Sequence, residues 1–209
     1  MSRRQKLKIV VIGDVGTGKS WFCHQFTHDT TPVKGYRQTI GVDYSSKQLF
    51  TASGTELCIE LWDTAGQERF KSFVPQYFRD AHAVLVVFDS TKEHTYKSVP
   101  EWVAMFRDVY PTRPCVLVAN KCDMVSHCFY ETSRSTVESI SRLQGFTSFH
   151  EVSALSGMNV DQTMRSAVAH ILEHNRELTG SALRTDSMHN DERITLLSGG
   201  TVKKNGCAC

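Results

Sequence analysis

The chain has 209 residues, 40% of them hydrophobic, and 24 Lys and Arg against 22 Asp and Glu leave a formal charge of +2. That size suits one compact domain with a short tail, and so small a charge, with no basic stripe among aromatics, excludes a nucleic-acid surface. The basic start, residues 1–6, runs into an apolar stretch that stops at Gly13, too short for a secretory core or a bilayer span, so Cys23, Cys58, Cys115, Cys122 and Cys128 are expected to be free thiols in a reducing compartment.

Residues 7–12 (LKIVVI) predict a buried parallel strand ending in a glycine-rich loop, and a helix opens at Lys19 and runs to about Thr27. Residues 42–50 and 56–62 read as two strands joined by a turn at Ser53-Gly54. Residues 83–88 and 115–119 are continuous apolar runs of buried-strand length. Between them, residues 96–110 carry helical spacing in Val99, Trp102, Val103, Phe106 and Val109. A last strand at 146–152 and an amphipathic helix at 160–178 complete the series. Strand and helix alternate, which predicts an α/β fold: six strands, mostly parallel, with helices on both faces and ligands at the carboxyl ends of the strands. From Thr179 the chain turns polar and mixed in charge, so residues 1–178 are expected to form the domain and 179–209 a flexible tail.

Gly13-Asp14-Val15-Gly16-Thr17-Gly18-Lys19-Ser20 fits G-x-x-x-x-G-K-[ST] between a strand and a helix. In that setting successive backbone N–H groups form an anion nest, Lys19 reaches β- and γ-phosphates, and the Ser20 hydroxyl is a Mg²⁺ ligand. Asn120-Lys121-Cys122-Asp123 follows about a hundred residues later. A carboxylate such as Asp123 accepts from the N1–H and the exocyclic amine of guanine, whereas adenine would leave it unpaired. Asp63-Thr64-Ala65-Gly66-Gln67 follows the third strand, which is expected to end at Trp62. There Asp63 is placed to hold a magnesium water, Gly66 to approach the γ-phosphate through its backbone, and Gln67 to orient the attacking water. In Ser153-Ala154-Leu155 the Ala154 N–H is placed to donate to guanine O6. Cys122, His127 and Cys128 lie close together but lack a second ligand pair at zinc spacing, and read as ordinary loop and core residues.

With these motifs the chain resembles the Ras superfamily of small GTPases and, within it, the Rab family. The resemblance spans residues 7–178 and the C-terminus, and rests on Ile40-Gly41-Val42-Asp43-Tyr44, on the run from Leu61 to Phe70 (LWDTAGQERF), and on Tyr77-Phe78-Arg79-Asp80-Ala81. It implies the Ras-like P-loop fold and a switch driven by GTP, GDP and Mg²⁺ that hydrolyses GTP. Val15, Gly16, Thr17, Gly18, Lys19, Ser20, Trp21, Thr39, Gly66, Asn120, Lys121, Asp123, Ser153, Ala154 and Leu155 would meet the nucleotide. Ser20, Thr39 and Asp63 would serve the metal, and Gln67 would be the catalytic residue. Tyr44, Trp62 and Tyr77 match aromatics that Rab effectors recognise, with Ile40, Gly41, Val42 and Asp43 beside them; for Trp62, simple core packing is an equal alternative. The ending Lys203-Lys204-Asn205-Gly206-Cys207-Ala208-Cys209 is similar to the doubly prenylated C-x-C terminus of Rabs, and two lipids suit stable anchoring. Implied partners are effectors, an exchange factor, a GTPase-activating protein, a prenyl-transferase escort and a GDP-dissociation inhibitor. The core is expected to be monomeric, on the cytoplasmic face of an endomembrane with a cytosolic pool, in vesicle and protein transport.

The sequence departs from the family in three places. Val15 stands where relatives carry glycine or serine, and a branched side chain there crowds the water, unless its neighbours have adjusted. Thr31, or Pro32 if the alignment shifts by one, replaces an aromatic that packs on the base; faster exchange follows unless Tyr36 substitutes. Leu155 replaces a lysine whose stem covers the base, with little change expected. The competing reading is a GTP-loaded interaction module that barely hydrolyses, favoured by Val15 and Thr31 as Gln67 favours the enzyme.

Overall fold

The computed structural model describes residues 5–28, 39–51, 54–66, 72–124, 126, 137, 141–142 and 144–178. Gln67, Thr31, Pro32, Tyr36, His127, Cys128 and the tail with Cys207 and Cys209 lie outside them. The described strands are β1 (Gln5–Ile12), β2 (Val42–Phe50), β3 (Glu56–Thr64), β4 (Ala83–Asp89), β5 (Cys115–Asn120) and β6 (Ser148–Glu151). The helices are α1 (Lys19–His28), α2 (Val74–Tyr77), α3 (Glu93–Lys97), α4 (Val99–Arg107) and α5 (Val160–Leu178).

The sheet runs β2-β3-β1-β4-β5-β6. Only β2 is antiparallel to its neighbour, which it can be because a short turn joins it to β3. The other pairs are parallel, as continuous apolar strands buried on both faces require. Alternation along β1 divides the interior. Leu7, Ile9 and Val11 join Phe22 and Phe26 of α1 and Met164, Ala167 and Ile171 of α5 on one face. Val10 and Ile12 join Phe78 after α2 and Trp102 and Phe106 of α4 on the other. Helices therefore cover both faces, as the sequence predicted.

Three elements differ from expectation. The helix expected at 96–110 is split into α3 and α4, and both its limits lie earlier. Pro100 has no N–H to give Tyr96 and its ring crowds that carbonyl, so the ladder breaks there; Ser98 bridges the break, its N–H on His94 O and its carbonyl accepting from Trp102. The four-residue α2, with Pro75 in its first turn, has no apolar periodicity to announce it. Of the expected strand at 146–152 only Ser148–Glu151 forms, on the sheet edge.

Candidate functional site

The ends of β1, β3, β4 and β5 gather the motifs at one edge of the sheet. Register fixes this: Val11 is paired with Asp63, and Asp89 with Asn120. The loop from Gly13 to Ser20 turns between β1 and α1 with positive φ at Gly13, Gly16 and Gly18. A Cβ on Gly13 would lie 2.1 Å from the Val87 carbonyl oxygen, so only glycine lets the loop leave β1 against β4.

Lys19 is buried beneath the loop and donates to Gly13 O and Asp14 O, both at 2.8 Å. Burial pulls its pKa down to about 8, against the opposing pull of Asp63 and Asp14. Three oxygens from distant segments meet beside it. Ser20 Oγ donates to Asp63 Oδ2, Thr39 Oγ1 donates to the same oxygen at 3.2 Å, and the two hydroxyls lie 2.8 Å apart. Asp63 Oδ1 is buried and has no hydrogen-bond partner among the described residues. Burial raises the Asp63 pKa, while the hydrogen bond from Ser20, the charge of Lys19 and the hydrogen bond from Thr39 resist the shift. Gly66 closes the cleft from above: a Cβ there would stand 2.4 Å from Lys19 Nζ and 2.5 Å from the Asp14 carbonyl carbon. Val15, Gly16, Gly18, Trp21 and Thr64 line the rest of it.

Asn120 joins this loop to the segment after β6. It is 2% exposed, donates from Nδ2 to Thr17 O at 2.8 Å, and accepts the Ala154 N–H on Oδ1 at 2.9 Å. The amide expected to face guanine O6 is thus engaged by Asn120 in this structure. Gly18 packs on the same amide, and a Cβ there would be 2.2 Å from Nδ2. Lys121, with φ of 69°, donates to Gly16 O at 2.8 Å and to Asp89 Oδ2 at 2.6 Å. Burial pushes the Asp89 carboxyl up, but its hydrogen bonds from Lys121 and Thr91 outweigh that and hold its pKa below the ordinary value. Asp123 is exposed, as is Leu155, while Ser153 is buried and turns its Oγ to the Ser156 N–H. The sequence reading missed Asp89, Asp14 and Trp102, whose Nε1 donates to Asp14 Oδ1 at 2.8 Å. The Trp and Asp residues were visible in the sequence, but not their pairing across 88 residues.

Beside the cleft, Ile40 is 85% exposed and Tyr44 and Phe73 about half exposed. Ile40, Gly41, Ala65, Phe73, Val74 and Tyr77 line an apolar groove of about 230 Å³. Val42 opens β2, and Asp43 Oδ1 accepts the Tyr44 N–H. Tyr44 meets Trp62 edge-on, with ring centres 5.9 Å apart. Trp62 packs against the second core, and Lys8 Nζ sits 4.0 Å over its ring. Cys23, Cys58, Cys115 and Cys122 are free thiols.

A model of the Ras family matches residues 8–173. The chain is 36% identical to the Ras-related protein Rab-32A of Dictyostelium discoideum, over 80% of this chain and 78% of that protein. It is 33% identical to Ras-related protein Rab-7L1 of Rattus norvegicus, over 84% of this chain and 87% of the relative. It is 32% identical to Ras-related protein Rab-32 of Sus scrofa, over 100% of this chain and 90% of the relative.

Proposed function

The chain belongs to the Ras family as a Rab-type small GTPase, and from that premise we propose that it is a membrane-anchored switch whose cleft above β1 and β3 holds GTP or GDP with Mg²⁺. Members of this family bind guanine nucleotide and hydrolyse GTP, and this chain is a GTPase. The observation that carries the finer reading is the convergence of Ser20, Thr39 and Asp63 beside Lys19.

Two hydroxyls and a carboxylate are hard oxygen donors suited to Mg²⁺, and the orphaned Asp63 Oδ1 is an acceptor left for a metal-held water. Ser20 and Thr39 would ligate the ion directly and Asp63 through that water. When bound, the ion neutralises charge on the β- and γ-phosphate oxygens. Lys19, held by two backbone carbonyls at the floor of the cleft, is within reach of the same phosphates. The loop amides from Val15 to Ser20 cradle them at the N-terminus of α1. Gly66, packed on the Asp14 peptide, offers its N–H to the γ-phosphate. Asp123 selects guanine, and Leu155 covers its face. Water aimed by Gln67 attacks the γ-phosphorus, the bond to the β–γ bridging oxygen breaks, and GDP and phosphate leave. Loss of the γ-phosphate releases the segment around Thr39, and effectors read the difference at Tyr44, Trp62, Tyr77 and the apolar groove between Ile40 and Phe73.

Val15 supports slow hydrolysis, because its side chain is 44% exposed in the cleft that Thr39 and Gly66 also line. The same observation favours the second reading, a switch held mostly in its GTP form. Anchoring through lipids on Cys207 and Cys209, with the tail as tether, is part of the proposal, as is a role in vesicle transport. Among the described residues no helix is long and apolar enough to cross a membrane. Single-turnover GTP hydrolysis, with Mg²⁺ and with EDTA, tests the reading. Mg²⁺-dependent turnover that rises about tenfold or more in Val15→Ser is expected from relief of crowding. Turnover indifferent to Mg²⁺ would refute the metal assignment, and a Val15→Ser rate equal to the parent's would refute the role of Val15.

A further inference from the structure

The phosphate loop is also held from behind, by a residue that none of the nucleotide motifs contains. Trp102 of α4 is fully buried among Ile12, Val74, Phe78 and Phe106 in the second core. An indole N–H donates and cannot accept, so in such surroundings it needs an acceptor. It finds Asp14 Oδ1 at 2.8 Å, on the second residue of the loop.

Asp14 is a junction. Its carbonyl oxygen accepts from Lys19 Nζ at 2.8 Å and from Thr17 Oγ1 at 3.0 Å. Its peptide is also the surface on which Gly66 rests, since a Cβ at Gly66 would stand 2.6 Å from the same oxygen. In a trans peptide the carbonyl and the following N–H point in opposite directions. With the Asp14 carbonyl turned to Lys19, the Val15 N–H points to the other side. Fixing the Asp14 side chain therefore helps fix which way the first amide of the nest faces. The bond also draws one carboxylate oxygen towards α4.

Resting on the reading of this loop as the phosphate-binding element, we propose that Trp102 is a positioning residue for GTP binding and hydrolysis, acting through Asp14. Trp102 is not among the residues that line the cleft. It sets the geometry of the loop that does, and ties that loop to the core that also carries α2.

The test compares Asp14→Ala, Asp14→Asn and Trp102→Phe in the full chain. Asn keeps the acceptor but, like Ala, lacks the charge, so the pair separates the hydrogen bond from electrostatics. Release of a fluorescent GDP analogue should speed up about tenfold in Asp14→Ala and in Trp102→Phe, the fold-change expected when one hydrogen bond to a charged group is lost. Asp14→Asn should release only about threefold faster than the parent, since its neutral amide oxygen retains about half of the bond's strength. The double variant should release no faster than the faster single one, because both remove one interaction. The Trp102 indole N–H resonance should shift in Asp14→Ala and return near its place in Asp14→Asn, a response that a general loss of stability would not give. Trp102→Phe also thins a packed core, so the deciding comparison is between the two variants of the half-buried Asp14.

Unchanged release in folded Asp14→Ala, or equal acceleration by Ala and Asn, would overturn the proposal while leaving the function above intact. A parent protein that neither holds guanine nucleotide nor hydrolyses GTP would overturn that function, and this role with it.

Discussion

Replacing Asn120 with alanine removes two buried hydrogen bonds from the joint between the phosphate loop and the segment after β6. The Thr17 carbonyl loses its donor at 2.8 Å and the Ala154 N–H its acceptor at 2.9 Å, at a residue only 2% exposed. An unsatisfied buried polar group costs about 1–3 kcal/mol, so two of them give a loss of about 2–6 kcal/mol. For a chain of this size that is a fall in Tm of about 4–24 °C. Asn120→Asp should do no better despite its matching shape. It keeps an acceptor for Ala154 but sets a carboxylate oxygen against the Thr17 carbonyl, where the amide N–H now donates. Urea unfolding of the nucleotide-stripped protein isolates this effect from ligand binding, which would add its own stabilisation. A loss below about 1 kcal/mol for Asn120→Ala would show that water or the chain itself re-satisfies both groups, and the joint would then be of no consequence.

Two further perturbations probe neighbouring contacts. Gly66→Ala forces a methyl to within 2.4 Å of Lys19 Nζ and 2.5 Å of the Asp14 carbonyl carbon, so the segment must lift from the loop; misplacement of about 1 Å predicts a loss near 10²-fold in single-turnover hydrolysis, and a rate within about threefold of the parent would contradict it. Asp89 has a folded pKa below its unfolded one, with Lys121 and Thr91 overcoming the effect of burial. Its contribution is therefore present above the ordinary carboxylate value of about 3.9 and fades as pH falls through the lower folded value. The stability gap between parent and Asp89→Asn should narrow in acid unfolding below about pH 4, and a gap independent of pH would refute the pairing.

Much of this arrangement could be read from the chain itself. The strands β1, β4 and β5 are apolar runs bounded by glycine or charge, and the strand–loop–helix setting of Lys19 marked the loop proposed to hold phosphate. Asp63 and Asn120 were singled out from short motifs because the chemistry proposed for them fixes residue type and spacing. What the sequence could not display were contacts set by tertiary packing. Asp89 is one strand away from Asn120 in space but 31 positions earlier, and nothing local marks it as the partner of Lys121. Trp102 looked like one more apolar position on a helix, since its N–H leaves no trace in a hydrophobic pattern. The division of α3 from α4 follows from Pro100, whose effect on the ladder outweighed the apolar spacing. The short α2 is held by Val74 and Phe78 in the second core rather than by its own periodicity.

The most direct test of the central claim is the nucleotide carried by freshly purified full-length chain, released by denaturation and separated by chromatography. A site that pins its phosphate loop through Asn120 and Lys121, and reads the base through exposed Asp123, predicts guanine nucleotide and no adenine nucleotide, near one equivalent per chain. Adenine nucleotide in that fraction, or a folded chain that takes up neither GDP nor GTP when they are supplied with Mg²⁺, would contradict it.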